Sequence, residues 1–188
     1  TVQYSTTSGF TAATTTTVAG VATNNYTPVL LPNTRYYFRV RAVNTIGTSG
    51  NSATVNAWTL ANAVVDAPVV STAGVVAGTQ VKLNWVASVG GASSYVVQQS
   101  SNGGGSWTNS TVIAQVPATP TGVTVTGLAG QTAYKFRVLA RNGANVAAAP
   151  SAVADTVTLL AEPTAITAAN GISGGLVTGG LNFTSNNG

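Results

Sequence analysis

The chain has 188 residues, with seven Lys and Arg against three Asp and Glu, and no Cys, His or Met. Its 44% of hydrophobic residues is enough to bury a core, which excludes simple disorder. The missing thiols and imidazoles exclude disulfide scaffolds, thiol nucleophiles, His-assisted serine triads and the usual zinc sites. Three carboxylates leave almost nothing for acid–base work or hard-cation cages.

The net charge of +4 is too thinly spread to track phosphates, and no apolar run reaches the ~18 residues that would span a bilayer. No nucleic-acid partner and no membrane insertion are therefore expected. The chain has no initiator Met and no basic segment leading into an apolar one, so it reads as a processed protein or a piece of a larger one. A surface carried by Thr, Ser, Asn, Gln and Gly fits an extracellular or cell-surface location.

In chain order, Val2-Gln3-Tyr4-Ser5 is a short strand candidate, and Thr14–Thr17 an exposed strand or loop that could also carry O-glycans. The stretch Leu30-Leu31-Pro32-Asn33-Thr34-Arg35-Tyr36-Tyr37-Phe38-Arg39-Val40-Arg41-Ala42-Val43-Asn44 follows. It recurs as Leu128-Ala129-Gly130-Gln131-Thr132-Ala133-Tyr134-Lys135-Phe136-Arg137-Val138-Leu139-Ala140-Arg141-Asn142. Leu83-Asn84-Trp85 returns as Leu181-Asn182-Phe183, and Val2-Gln3-Tyr4-Ser5 as Val97-Gln98-Gln99-Ser100. These repeats lie roughly one compact domain apart. Tyr134, Phe136, Val138 and Ala140 alternate with Lys135, Arg137, Leu139 and Arg141, a period of two that separates an inner from an outer face. Val81, Leu83 and Trp85 alternate in the same way with Lys82 and Asn84. Asn102-Gly103-Gly104-Gly105, Pro117, Pro120, Gly127 and Asn142-Gly143 punctuate the runs as turns. No segment carries a capped helical period, and the reading is an all-β sandwich.

These residues resemble the fibronectin type III domains. The carriers are Pro68 and Pro163 opening a first strand, Leu83 and Trp85 in strand B, and Tyr95-Val96-Val97 in strand C. A Gly-Gly turn ending at Trp107 and the Leu128-to-Asn142 motif around strand F complete the set. The resemblance implies tandem fibronectin type III-like sandwiches, with Leu128 and Tyr134 in a tyrosine corner and Trp85 as the core tryptophan. Phe183 stands where the second copy would place that tryptophan. Residues 1–60 then read as a partial domain, strands C to G. Residues 68–159 read as a complete domain, and 163–188 as a partial domain holding strands A and B.

The two partial domains are complementary. The inward face of Tyr36, Phe38, Val40 and Ala42 is expected to be uncovered in the first. Leu181 and Phe183 of the second, with Tyr36, Phe38 and Val40, are the expected packing residues between subunits. Three arrangements fit: the tail of one chain donates strands to the next, the chain is one period of a longer covalent array, or it is a truncated piece. The function expected is a non-enzymatic structural subunit of an extracellular filament or stalk, whose partners are further copies of itself. The alternative is a spacer or carbohydrate-contacting module of a larger secreted enzyme or adhesin.

No residue stands out for chemistry. Asp66 and Glu162 precede the opening prolines of successive units, one domain apart, which is too far for a glycosidase pair. Asp155 lacks an acidic partner, Lys82 has outward parity, and Gly103–Gly105 lacks the context of a phosphate loop. No catalytic, cofactor-binding or metal-binding residue is assigned, and no cofactor. Arg39, Arg41, Lys135, Arg137 and Arg141 form a basic stripe, read first as solvated outward residues and second as a contact for glycans or another acidic surface. Asn25, Asn109 and Asn182 head N-glycosylation triplets, with Asn25 and Asn109 in loop-like segments and Asn182 pointing outward. No Arg-Gly-Asp occurs.

Overall fold

The computed structural model describes residues 1–71, 78–114 and 121–160, with the backbone alone for 111–114 and for four strands between 163 and 185. Every regular element among the described residues is a strand. The first four are β1 (Val2–Ser5), β2 (Thr15–Val18), β3 (Arg35–Val40) and β4 (Val55–Trp58). Next come β5 (Val69–Ser71), β6 (Val81–Asn84), β7 (Ser94–Ser100), β8 (Thr108–Ala114), β9 (Gly122–Val125), β10 (Ala133–Arg141) and β11 (Ala154–Val157). The last are β12 (Pro163–Ala168), β13 (Ile172–Ser173), β14 (Leu176–Val177) and β15 (Leu181–Ser185).

The stretch β5–β11 makes two antiparallel sheets, β5-β6-β9 and β11-β10-β7-β8. In β6 and β10 the inward residues alternate as the period of two requires, whereas β7 is buried on both faces from Ser94 to Val97. Leu83, Tyr95, Val97, Phe136, Val138 and Ala140 are fully buried, while Lys82 and Thr124 face solvent. Trp85 packs edge-on against Tyr95 with ring centroids 5.5 Å apart. At about 25 cal/mol per Å² of apolar surface, these side chains dominate the stabilisation of the sandwich. The β7–β8 hairpin turns at Gly103 and Gly104, whose φ of 72° and 97° suits glycine.

The first four strands make a single sheet, ordered β2-β1-β3-β4, the same order as β8-β7-β10-β11. The registers repeat as well. Val2 faces Val40 and Gln3 faces Arg39, as Val97 faces Val138 and Gln98 faces Arg137. In the last group, β12 pairs with β15 so that Ala168 faces Leu181, just as Val70 faces Leu83 in β5–β6. Each of those residues lies 98 positions after its counterpart. The short β13–β14 hairpin falls between β12 and β15, where the sequence pattern predicts no strand.

Candidate functional site

No reactive constellation is gathered among the described residues. Among the described residues no group of three or more His, Cys, Asp or Glu could hold a metal ion, and no helix is long and apolar enough to cross a membrane. Asp66 is exposed, Lys82 is exposed on the outer side of β6, and Glu162 lies outside the described residues. Asp155 accepts a charge-assisted hydrogen bond from Lys135 Nζ at 2.6 Å, an exposed pair worth under about 1 kcal/mol. The sites that remain are surfaces.

The first is the inner face of β1–β4. The phenol oxygen of Tyr134 accepts the Ala129 N–H at 3.0 Å, and that of Tyr36 accepts the Leu31 N–H at 3.2 Å, so the tyrosine corner is built twice. Beyond the corner the two strands part ways. Phe136 and Val138 are fully buried, whereas Phe38 is half-buried and Val40 is 50% exposed. Ala42 is exposed where Ala140 is buried. Tyr36 departs from the expected open face: it is buried, because the chain around Leu31 closes over its phenol and Tyr4 packs edge-on against it at 6.1 Å. The open part is a cleft of about 480 Å³ bordered by Val2, Val21, Asn25, Tyr26, Val40 and Ala42. The side chains of Leu181 and Phe183, the other expected packing residues, lie outside the described residues.

The second is the outer face. Two members of the basic stripe, Arg39 and Arg137, are tied down internally, whereas the Nε atoms of Arg41 and Arg141 are buried without a hydrogen-bond partner among the described residues. Arg39 lies over the Phe10 ring at 4.0 Å and donates Nε to Gln3 Oε1 at 2.8 Å. Arg137 repeats this over Trp107 at 4.1 Å, with Gln98 Oε1 at 2.8 Å. The sequence pattern does not predict these clamps, although the Gln of one strand and the Arg of the next recur together.

The third is a junction between the first sheet and the complete sandwich, which no repeat or motif in the sequence signals. Asn142 Nδ2 donates to Thr59 O at 3.0 Å, and Ser93 Oγ donates to Asn33 Oδ1 at 3.0 Å. Gly143 lies so close to Trp58 that a Cβ there would overlap the indole. The connecting residues Ala61 and Val64 are buried in the core of the complete sandwich.

Of the glycosylation candidates, Asn25 is exposed and borders the open cleft. Asn109 stands in strand β8 and not in a loop: the β-branched run from Thr108 extends the chain, and Asn109 Oδ1 accepts from Gln98 Nε2 at 3.0 Å. The Asn182 backbone lies in β15, and its side chain is outside the described residues. Three residues of the Thr14–Thr17 run, Thr15 to Thr17, lie in strand β2.

Residues 66–157 match the family model of the fibronectin type III domain. No curated protein sequence matches the chain. Among solved structures, titin domains A168–A170 align at 29% identity and a TM-score of 0.41, covering 67% of this chain and 41% of that one. A two-domain fibronectin type III segment from chicken tenascin aligns at 15% identity and a TM-score of 0.49, covering 66% and 65%. A fibronectin type III domain of the human KIAA0970 protein aligns at 22% identity and a TM-score of 0.43, covering 54% and 77%. The chain thus spans less than two thirds of the titin and tenascin segments that it matches.

Proposed function

Residues 66–157 being a fibronectin type III domain, we propose that the chain is a non-enzymatic structural protein whose copies join head to tail by strand donation into an extracellular filament or stalk. The β12–β15 pair of one copy packs over the inner face of the β1–β4 sheet of the next, as part of the second sheet of a shared sandwich. One observation carries this reading: β12–β15 repeats the register of β5–β6, and β1–β4 repeats the order of the sheet that β5–β6 faces. The two ends are matching halves of one sandwich. The cleft over Val40 and Ala42 is where the missing sheet belongs. Covering it removes apolar surface from water at about 25 cal/mol per Å². The domain boundaries 1–60, 68–159 and 163–188 follow from the same reading. The chemistry agrees with a passive role, since the chain has no His or Cys and three carboxylates in all. A surface of small polar residues suits a location outside the cell.

The test is to delete residues 163–188 and compare particle size by analytical ultracentrifugation and electron microscopy. Full-length chains are expected to polymerise and truncated chains to stay monomeric. Polymers unchanged by the deletion, or a full-length chain that never assembles, would overturn strand donation.

A further inference from the structure

The junction between the first sheet and the complete sandwich is made by two poles, and the chain carries a second copy of each that meets no counterpart pole among the described residues. One pole is the loop after strand β10. Asn142 N donates to Val146 O at 3.1 Å, while Asn142 Oδ1 accepts from Ala144 N at 3.0 Å and Val146 N at 2.9 Å. With the carbonyl oxygen committed to the loop, the amide Nδ2 is left to cross to Thr59 O, and Asn142 is 1% exposed. The loop after β3 has the same pattern and is one residue shorter. Asn44 N donates to Gly47 O at 3.0 Å, and Asn44 Oδ1 accepts from Ile46 N and Gly47 N, both at 2.9 Å. Here Asn44 is exposed and Ile46 is 94% exposed.

The other pole is the end of the last strand. Thr59 Oγ1 accepts from Thr34 N at 2.9 Å and donates to Leu31 O at 2.7 Å. Thr158 Oγ1 accepts from Thr132 N at 3.0 Å and donates to Ala129 O at 2.6 Å. Asn33 and Gln131, in the adjoining turns, share a left-handed backbone with φ of 46° and 50°. Val157 precedes Thr158 as Trp58 precedes Thr59; Val157 is 64% exposed, while Thr158 is 5% exposed.

We propose that the Val157–Thr158 pole of one copy receives the Asn44–Gly47 loop of the next copy of the chain. Asn44 Nδ2 donates to Thr158 O, and Thr45 rests against Val157. The inference rests on the reading that β12–β15 faces the first sheet of the following copy and makes a sandwich with it, because that sandwich is what brings the loop to this pole. The two junctions are matched by size in opposite ways. The large Trp58 meets Gly143, where no Cβ fits; the smaller Val157 meets Thr45, which has one. A loop carrying Thr45 is too bulky for the Trp58 pole. Each pole thus selects its own loop, and the two kinds of junction alternate along the assembly.

The test uses two full-length chains fused head to tail through a short Gly/Ser linker, so that completion of the shared sandwich does not depend on association. Hydrogen exchange is followed on the peptide covering the Asn44–Gly47 loop and on the peptide covering β3. In the fusion, half of each peptide is expected to exchange at least about tenfold more slowly than in the single chain. Val157→Trp in the first copy should abolish the slow half of the loop signal only. Adding Thr45→Gly in the second copy should restore it, since the pair then repeats Trp58 with Gly143. A slow half for β3 with none for the loop would overturn the junction while leaving strand donation standing. Fast exchange in both peptides would overturn both. Loop protection indifferent to Val157→Trp would also overturn the junction.

Discussion

Tyr134 and Tyr36 make the same hydrogen bond in two surroundings, which separates a local bond from the packing around it. Tyr134→Phe removes the acceptor for the Ala129 N–H at 3.0 Å and should cost about 1–2 kcal/mol in urea denaturation. Phe136→Ala, at a fully buried site, should cost about 3–5 kcal/mol. Phe38→Ala in the unassembled chain should cost less than half of that, because Phe38 is half-buried there. Asp155→Asn should cost under about 1 kcal/mol, and less still in high salt, because the side chains of Lys135 and Asp155 are 33% and 68% exposed. Much at this scale is legible in the sequence. Alternation marks Phe136 and Val138 as core and Lys82 as outward, and the family resemblance marks Trp85 and Tyr134. The stacking of Arg137 on Trp107 is not legible, because it joins residues of separate segments through a register that no local pattern states.

Among the elements, strands with a strict period of two and glycine-bounded ends are legible in the amino-acid pattern alone. The pairing of β12 with β15 is legible because Leu181-Asn182-Phe183 repeats Leu83-Asn84-Trp85. Two features are not. Asn109 has the look of a loop because Asn, Ser and Thr are common turn residues, yet tertiary pairing with β7 holds it extended. The junction is invisible because Asn142 and Thr59 are 83 residues apart, and the loop geometry that frees Nδ2 is made by backbone donors. Gly143→Leu should therefore leave the unfolding midpoint of the complete sandwich within about 0.5 kcal/mol of the original. It should also release the first sheet, seen as a longer maximum dimension and a flexible profile in small-angle scattering. An unchanged profile would show that Trp58 has room to move aside.

For the molecule as a whole, the shortage of ionisable groups has a measurable result. With no His or Cys and three carboxylates, no side chain has an ordinary pKa between about 5 and 8. Folding stability and assembly should both be flat from about pH 5.5 to 7.5, as checked by thermal melts and sedimentation. A transition in that window would have to come from outside the side chains of this chain. Salt should matter little too, since the contacts described between the first sheet and the complete sandwich are neutral hydrogen bonds and packing.

The matched halves also decide how such an assembly would bear load. In a filament built by donation, tension reaches the shared sandwich through Pro163 of one copy and leaves through Trp58 of the next, at the far ends of different sheets. Pulling then slides one sheet along the other, so many contacts must yield together instead of parting one by one. A joint held by nothing covalent would resist a pull along its axis far better than a pull across it, like a tongue gripped along its whole groove.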